Sequence, residues 1–170
     1  MELNTVCVTV GTTKFDRLIK AVTADKVLQT LKKRGCSKLL LQIGAGRKVD
    51  VRHINTSHNI QVEQYDFKFD DVRSDIINSD LIIGHAGAGT CMDILKNKKP
   101  GLVVVNRKLM NNHQIELAEQ LARDGYIYFC SIEDLHQRLE TLDFGALKPY
   151  VTNTEGMHKF VRHLNYLMTN

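Results

Sequence analysis

Three short stretches of this chain combine residue types that can bind phosphate or sugar oxygens, and each follows a run that reads as a β-strand. Gly11-Thr12-Thr13 joins a glycine, which lets the backbone approach a ligand closely, to two hydroxyls and their adjacent N–H groups. The same residues suit a tight strand-to-helix turn with capping hydroxyls. His85-Ala86-Gly87-Ala88-Gly89-Thr90 places four small residues in succession before a helix that carries Asp93. Such a loop exposes backbone N–H groups at a helix N-terminus, where the macrodipole favours an anion such as a diphosphate. Asp93, in the first turn of that helix, is either stabilised there by the dipole alone or accepts hydrogen bonds from ribose hydroxyls. Asn111-Asn112-His113-Gln114 offers consecutive donors and acceptors suited to a polyhydroxylated ligand. Asn111 or Asn112 fits a helix cap equally well, so His113 and Gln114 carry more of the functional reading.

The familiar phosphate and catalytic motifs do not fit these loops. From Gly84 to Gly89 the spacing is that of a P-loop, but Thr90 stands where the lysine belongs. A dinucleotide fingerprint starting at Gly87-Ala88-Gly89 would put Met92 where a third small residue is required. No DxD, HExxH or GxSxG occurs, so a metal-chelated nucleotide, a zincin and a hydrolase elbow all lose support. Cys7, Cys36, Cys91 and Cys130 form no CxxC and have no histidine at ligand spacing. They read as small buried hydrophobes in a reducing compartment, with neither a zinc site nor a disulfide framework expected. No metal and no cofactor is expected.

The loops need a scaffold, and the pattern of the chain supplies one. Short β-branched runs (Thr5–Val10, Lys38–Ile43, Ile60–Glu63, Asp80–Gly84, Gly101–Val105, Tyr126–Phe129) alternate with helical stretches near Asp16–Arg34, Asp70–Asn78, Thr90–Asn97, Asn112–Arg123 and Ile132–Thr141. That alternation predicts an α/β domain, a Rossmann-like parallel sheet with helices on both faces. Runs such as Leu102-Val103-Val104-Val105 are apolar on both sides, as a sheet covered on both faces requires. In such a sheet ligands bind beyond the carboxyl ends of the strands, where all three loops fall.

The expected organisation is a nucleotide-sugar-binding domain over residues 1–142, a connector over 143–154 and a helix over 155–170. On that helix Met157, Phe160, Val161, Leu164, Leu167 and Met168 share one face, with His158, Lys159, Arg162 and His163 largely opposite. The apolar face either packs on its own domain or docks on a partner protein or membrane surface. The chain has 170 residues, 23 basic and 19 acidic, for a net charge of +4, and 43% are hydrophobic. That composition excludes disorder and fibrous structure and fits one globular domain. No secretory signal and no membrane-spanning run is visible, and no basic cluster interleaved with aromatics points to nucleic acid.

Four collinear stretches, Val8–Asp16, Leu41–Gly44, Ser79–Thr90 and Leu109–Ala118, resemble the soluble subunits of the N-acetylglucosaminyltransferases that add the second sugar to dolichol-linked oligosaccharides. The resemblance runs from about residue 5 to residue 130. More distantly, the chain is similar to the C-terminal, donor-binding half of the bacterial glycosyltransferase that makes the lipid-linked peptidoglycan disaccharide. There a small-residue loop leads into a helix whose carboxylate binds the ribose, and His85 through Asp93 matches that spacing with Asp in place of Glu. The paired glutamines that hold the donor sugar in that enzyme fall at His113 and Gln114, so only the second is retained.

The resemblance implies the C-terminal half of a GT-B glycosyltransferase, with a uracil-binding segment after the third strand, around Tyr65–Phe67. It implies metal-independent, inverting transfer of N-acetylglucosamine from UDP-N-acetylglucosamine to N-acetylglucosaminyl-diphospho-dolichol, forming a β1,4 link. The acceptor side, the general base and the membrane anchor would belong to a membrane-bound partner subunit, placing the chain at the cytosolic face of the endoplasmic reticulum. A nucleotide-sugar-binding regulatory module without catalysis would use the same loops.

Overall fold

The computed structural model describes residues 1–67, 71–106 and 112–151, and the side chains of 71–73 and 112–114 are outside the described set. Among the described residues, β1 (Thr5–Thr9), β2 (Lys38–Gln42), β3 (Gln61–Tyr65), β4 (Leu81–His85), β5 (Gly101–Val105) and β6 (Tyr128–Ser131) form one sheet in the order β3-β2-β1-β4-β5-β6. All five pairings are parallel. The chain winds outward from β1 to β3, then returns to lay β4 beside β1 and winds outward the other way. The strand order therefore reverses between β1 and β4, the position at which an open α/β sheet leaves a crevice.

The period of two along each strand divides the core in two. On one face Val6, Val8 and Val10 of the first strand and its extension meet Leu18, Ile19 and Val22 of α1 (Asp16–Val22) and Val27, Leu28 and Leu31 of α2 (Asp25–Lys33). Ile54 of α3 (Arg52–His58) and Leu135 and Leu139 of α7 (Leu135–Thr141) join the same cluster. On the other face Cys7, Ile82 and Val103 pack against Ile76 of α4 (Asp71–Ile77), Cys91, Ile94 and Leu95 of α5 (Ala88–Lys96) and Leu117, Ala118 and Leu121 of α6 (Asn112–Arg123). Both faces being covered explains why central strands such as β4 and β5 read as continuous apolar runs rather than alternating ones. All four cysteines are free and buried within these layers. Burial pushes the thiols of Cys7, Cys91 and Cys130 up to about 12 and that of Cys36 up to about 11, far from thiolate chemistry.

Apart from shifts of one to three residues at other element ends, the elements differ from the sequence expectation in three places. The single helix expected over Asp16–Arg34 is two, because the Thr23 hydroxyl bonds back to the carbonyls of Ile19 and Lys20 and Ala24 is extended at φ −70°, ψ 141°. Helix α3, absent from the expectation, buries only Ile54 in an otherwise polar stretch, so it carries no helical periodicity to detect. The last strand starts two residues later than expected, at Tyr128, with Ile127 buried in the approach to it.

Part of the segment read as a connector lies against the domain. Phe144, in a short 3-10 turn (Phe144–Ala146), is 1% exposed, with the Arg34 guanidinium 5.1 Å from its ring centroid and Tyr128 edge-on at 5.7 Å. Tyr150 meets Tyr126 edge-on at 5.3 Å. Residues 152–154 of that segment and the expected helix 155–170, with Met157, Phe160, Val161, Leu164, Leu167 and Met168, lie outside the described residues.

Candidate functional site

The strand reversal opens into a cleft of about 580 Å³ at the carboxyl ends of β1, β2 and β4. Of the residues singled out from sequence, Gly11, Thr12, Thr13, His85, Gly87, Gly89, Thr90 and Asp93 line it together. Ala86 instead turns into the core and gives its N–H to Val104 O at 3.2 Å, and Ala88 stands outside the lining. Asn112, His113 and Gln114 open α6, but their side chains lie outside the described residues, as does Asn111.

The first loop is a tight left-handed turn. Gly11 has φ +62°, a conformation that an L side chain adopts only under strain, and the Thr13 hydroxyl closes the turn by donating to Val10 O at 2.8 Å. Thr13 O in turn accepts the Ala45 N–H at 3.1 Å, tying the loop after β1 to the loop after β2. Gly44, at φ +56°, has no room for a Cβ against the carbonyls of Thr13 and Gly11, so only glycine allows the two loops to approach this closely.

The second loop starts α5 without a side-chain cap: Gly87 is the N-cap residue, extended at φ −87°, ψ 146°, and Cys91 N–H is bonded to Gly87 O at 3.0 Å. The N–H groups of the first turn are left for a ligand or solvent, and the helix dipole makes that end attractive to an anion. Each glycine here has its own reason. A Cβ on Gly84 would strike the Thr90 methyl, so a bare strand residue lets the first turn of α5 close onto β4. A Cβ on Gly87 would lie 2.5 Å from His85 Nε2, whereas one on Gly89 would meet nothing within 4 Å and would project into open cleft.

His85 sits between the two loops, its ring within 3.3 Å of where a Cβ on Gly11 would be and closer still to that on Gly87. Its Nδ1 is 3.3 Å from the Thr90 hydroxyl. Burial lowers its pKa from the usual imidazole value, so the ring is neutral at physiological pH. If the Thr90 hydroxyl donates to Nδ1, the ring proton is on Nε2.

The lining also contains residues to which sequence reasoning gave no individual role. Thr9, Gln42, Phe67, Ile76, Lys96 and Asn97 complete the cleft. Lys96 and Asn97 lie at the far end of α5, about 10 Å along its axis from Gly89 at 1.5 Å per residue. The cleft thus runs along α5 from its N-terminus past Asp93, and Phe67, 41% exposed, adds an aromatic surface to the lining. Phe67 follows β3, in the segment that the resemblance implied for base binding, and the preceding Tyr65 donates its hydroxyl to Asp75. Gln42 had one signal in the sequence, a lone amide closing the run Leu39-Leu40-Leu41. Among the described residues, no group of three or more His, Cys, Asp or Glu side chains is arranged to hold a metal ion, and no helix is long and apolar enough to cross a membrane.

Comparison with known proteins identifies the family of the chain. The chain is 46% identical over 126 residues to UDP-N-acetylglucosamine transferase subunit ALG13 of Homo sapiens, covering 74% of this chain and 11% of that protein. It is 31% identical over 163 residues to the subunit of the same name from Cryptococcus neoformans, covering 80% of this chain and 82% of that protein. The chain therefore spans only about a tenth of the human relative and of its mouse counterpart. The solution structure of ALG13 superposes with a TM-score of 0.70 at 24% identity, covering 94% of this chain and 95% of that one. Acinetobacter baumannii MurG superposes at 0.60 with 18% identity, covering 85% of this chain and 42% of that one. The parallel sheet with helices on both faces is thus the Rossmann-like C-terminal domain of GT-B glycosyltransferases. Residues 5–166 match the glycosyltransferase family 28 C-terminal domain, and the chain belongs to that family.

Proposed function

We propose that this chain is the donor-binding subunit of a two-subunit N-acetylglucosaminyltransferase, moving N-acetylglucosamine from UDP-N-acetylglucosamine to N-acetylglucosaminyl-diphospho-dolichol with inversion. The observation that carries the reading is the continuous cleft at the strand reversal, in which an uncapped helix N-terminus and Asp93 lie on the same helix. The diphosphate sits at the first turn of α5, where backbone N–H groups and the helix dipole stabilise the charge that develops as UDP departs. Asp93, one turn further in, accepts hydrogen bonds from the ribose hydroxyls, and the base lies toward Phe67 and Ile76. Neutral His85 contributes a ring N–H rather than a charge, and Gln114, with His113 and Asn112 beside it, holds the sugar. The general base that takes the acceptor's proton comes from a membrane-bound partner, which also brings the dolichol-linked acceptor. The partner docks on the apolar face of the C-terminal segment, Met157, Phe160, Val161, Leu164, Leu167 and Met168, and holds the chain at the cytosolic face of the endoplasmic reticulum.

Reconstitution tests the reading. The purified chain alone should show no transfer from labelled UDP-N-acetylglucosamine, and addition of membranes carrying the partner subunit should restore it. Asp93→Ala and Gln114→Ala should then lose transfer, while Phe160→Asp or Leu164→Asp should lose partner binding in a pull-down. Full activity without a partner would refute the two-subunit arrangement. Undiminished transfer by both Asp93→Ala and Gln114→Ala would instead favour a regulatory module.

A further inference from the structure

Two polar side chains stand opposite each other in the floor of the cleft, where apolar ones would suit the sheet better. Gln42 is fully buried and Thr9 is 3% exposed, and they are register partners at the carboxyl ends of β2 and β1. Their neighbours along the strands, Val8 and Leu41, are fully buried hydrophobes. The two form a closed ring with Gly11. The Gly11 N–H donates to Thr9 Oγ1 at 3.2 Å, the Thr9 hydroxyl donates to Gln42 Oε1, and Gln42 Nε2 donates to Gly11 O at 3.2 Å. Only one orientation of the Gln42 amide works, because the reverse would set its oxygen against the Gly11 carbonyl.

The ring captures both backbone polar groups of a residue that no helix or strand ladder holds. Its consequence falls one residue later. In a planar trans peptide the carbonyl of Gly11 and the N–H of Thr12 point in opposite directions, so drawing Gly11 O down to Gln42 turns the Thr12 N–H away from that floor. Thr12 lines the cleft, and its N–H donates to no other group among the described residues. We infer that Gln42 and Thr9 are positioning residues that lock the Gly11–Thr12 peptide so that the Thr12 N–H faces an anionic oxygen of the nucleotide sugar. This rests on the donor-site reading and adds to it a preformed donor on the β1 side of the cleft, facing the helix N-terminus on the β4 side.

The experiment combines titration of the whole chain with UDP, followed by calorimetry, and amide exchange by NMR. Gln42→Met keeps length and loses both polar atoms, Gln42→Glu keeps the acceptor for Thr9 and loses the donor to Gly11, and Thr9→Val removes the hydroxyl at constant shape. Each should weaken UDP binding roughly tenfold and speed exchange at the Gly11 amide, while the amides of β4 keep their protection. Thr9→Ser, which restores the hydroxyl, should bind UDP as the wild type does. A merely structural role would lower stability without this pattern of selective exchange and rescue. If a Gln42 variant fails to fold, the Thr9→Val and Thr9→Ser pair decides alone. Wild-type binding of UDP together with unchanged affinity in Thr9→Val overturns the inference. Failure of the wild type to bind UDP overturns the donor-site reading, and unchanged Gly11 exchange in Thr9→Val overturns the ring with or without ligand.

Discussion

Gly89→Ala separates what the fold needs at the helix N-terminus from what a ligand needs. Gly89 is the second residue of α5, and a Cβ built there meets no atom within 4 Å, so the methyl fits the free protein. Removing a glycine from a helix lowers the entropy of the unfolded chain and adds about 0.4–1 kcal/mol of stability. For a chain of this size that corresponds to a rise of about 1–4 °C in Tm. The same methyl projects into the cleft over the N–H groups that the diphosphate is proposed to use. Displacing the anion from one charge-assisted hydrogen bond costs about 1.5–3 kcal/mol, or roughly 10- to 150-fold in Kd. The variant should therefore melt higher and bind UDP far more weakly, measured by calorimetry on the two proteins in the same buffer. Gly87→Ala is the contrast, since its Cβ would lie 2.5 Å from His85 Nε2 and overpacking should destabilise the fold by about 1–3 kcal/mol. Undiminished UDP affinity in Gly89→Ala would refute the placement of the diphosphate at α5, and a lower Tm would refute the steric argument.

Two further outcomes follow from the packing around the site and the C-terminal turn. The pKa of His85 in the folded chain lies below the 6.5 of an ordinary imidazole because burial disfavours the cation, so the unfolded chain binds more protons between the two values. Stability contributed by neutral His85 is thus fully present above 6.5 and falls as the pH drops toward the folded value; urea titrations across this range should show a shallower slope for His85→Asn, and an identical slope would refute it. Phe144→Ala removes a ring that is 1% exposed beneath Arg34 and should cost about 3–5 kcal/mol in chemical denaturation, whereas a loss below about 1 kcal/mol would mean that the turn contributes little to the core.

The sequence made the sheet legible because the central strands are short apolar runs closed by a glycine or polar turn, whereas β3, Gln61-Val62-Glu63-Gln64-Tyr65, is largely polar; the parallel order follows from the helices between the strands. It made the two glycine loops legible for the same reason, since small residues directly after a strand have few other uses. What stayed hidden has specific causes. Helix α3 hides because a single buried isoleucine gives no period. Gln42 and Thr9 interrupt apolar strands, but their purpose is visible only once the fold sets Gln42 beside Thr9 and the Gly11 turn that follows it. Lys96 and Asn97 reach the cleft by the turn of a helix whose start alone had drawn attention, whereas the segment of Phe67 was legible only through the family resemblance.

The reversal of strand order also has a consequence for how this chain folds. The floor of the cleft joins β1 to β4, and the Thr5 N–H is held by Asp80 from 75 residues away. Contacts of that separation carry a loop-closure cost that contacts within either half do not. The cleft is therefore absent from any species in which only the first three strands or only the last three have assembled. A nucleotide that binds there recognises the completed sheet alone, and by mass action it protects both halves together from unfolding and proteolysis.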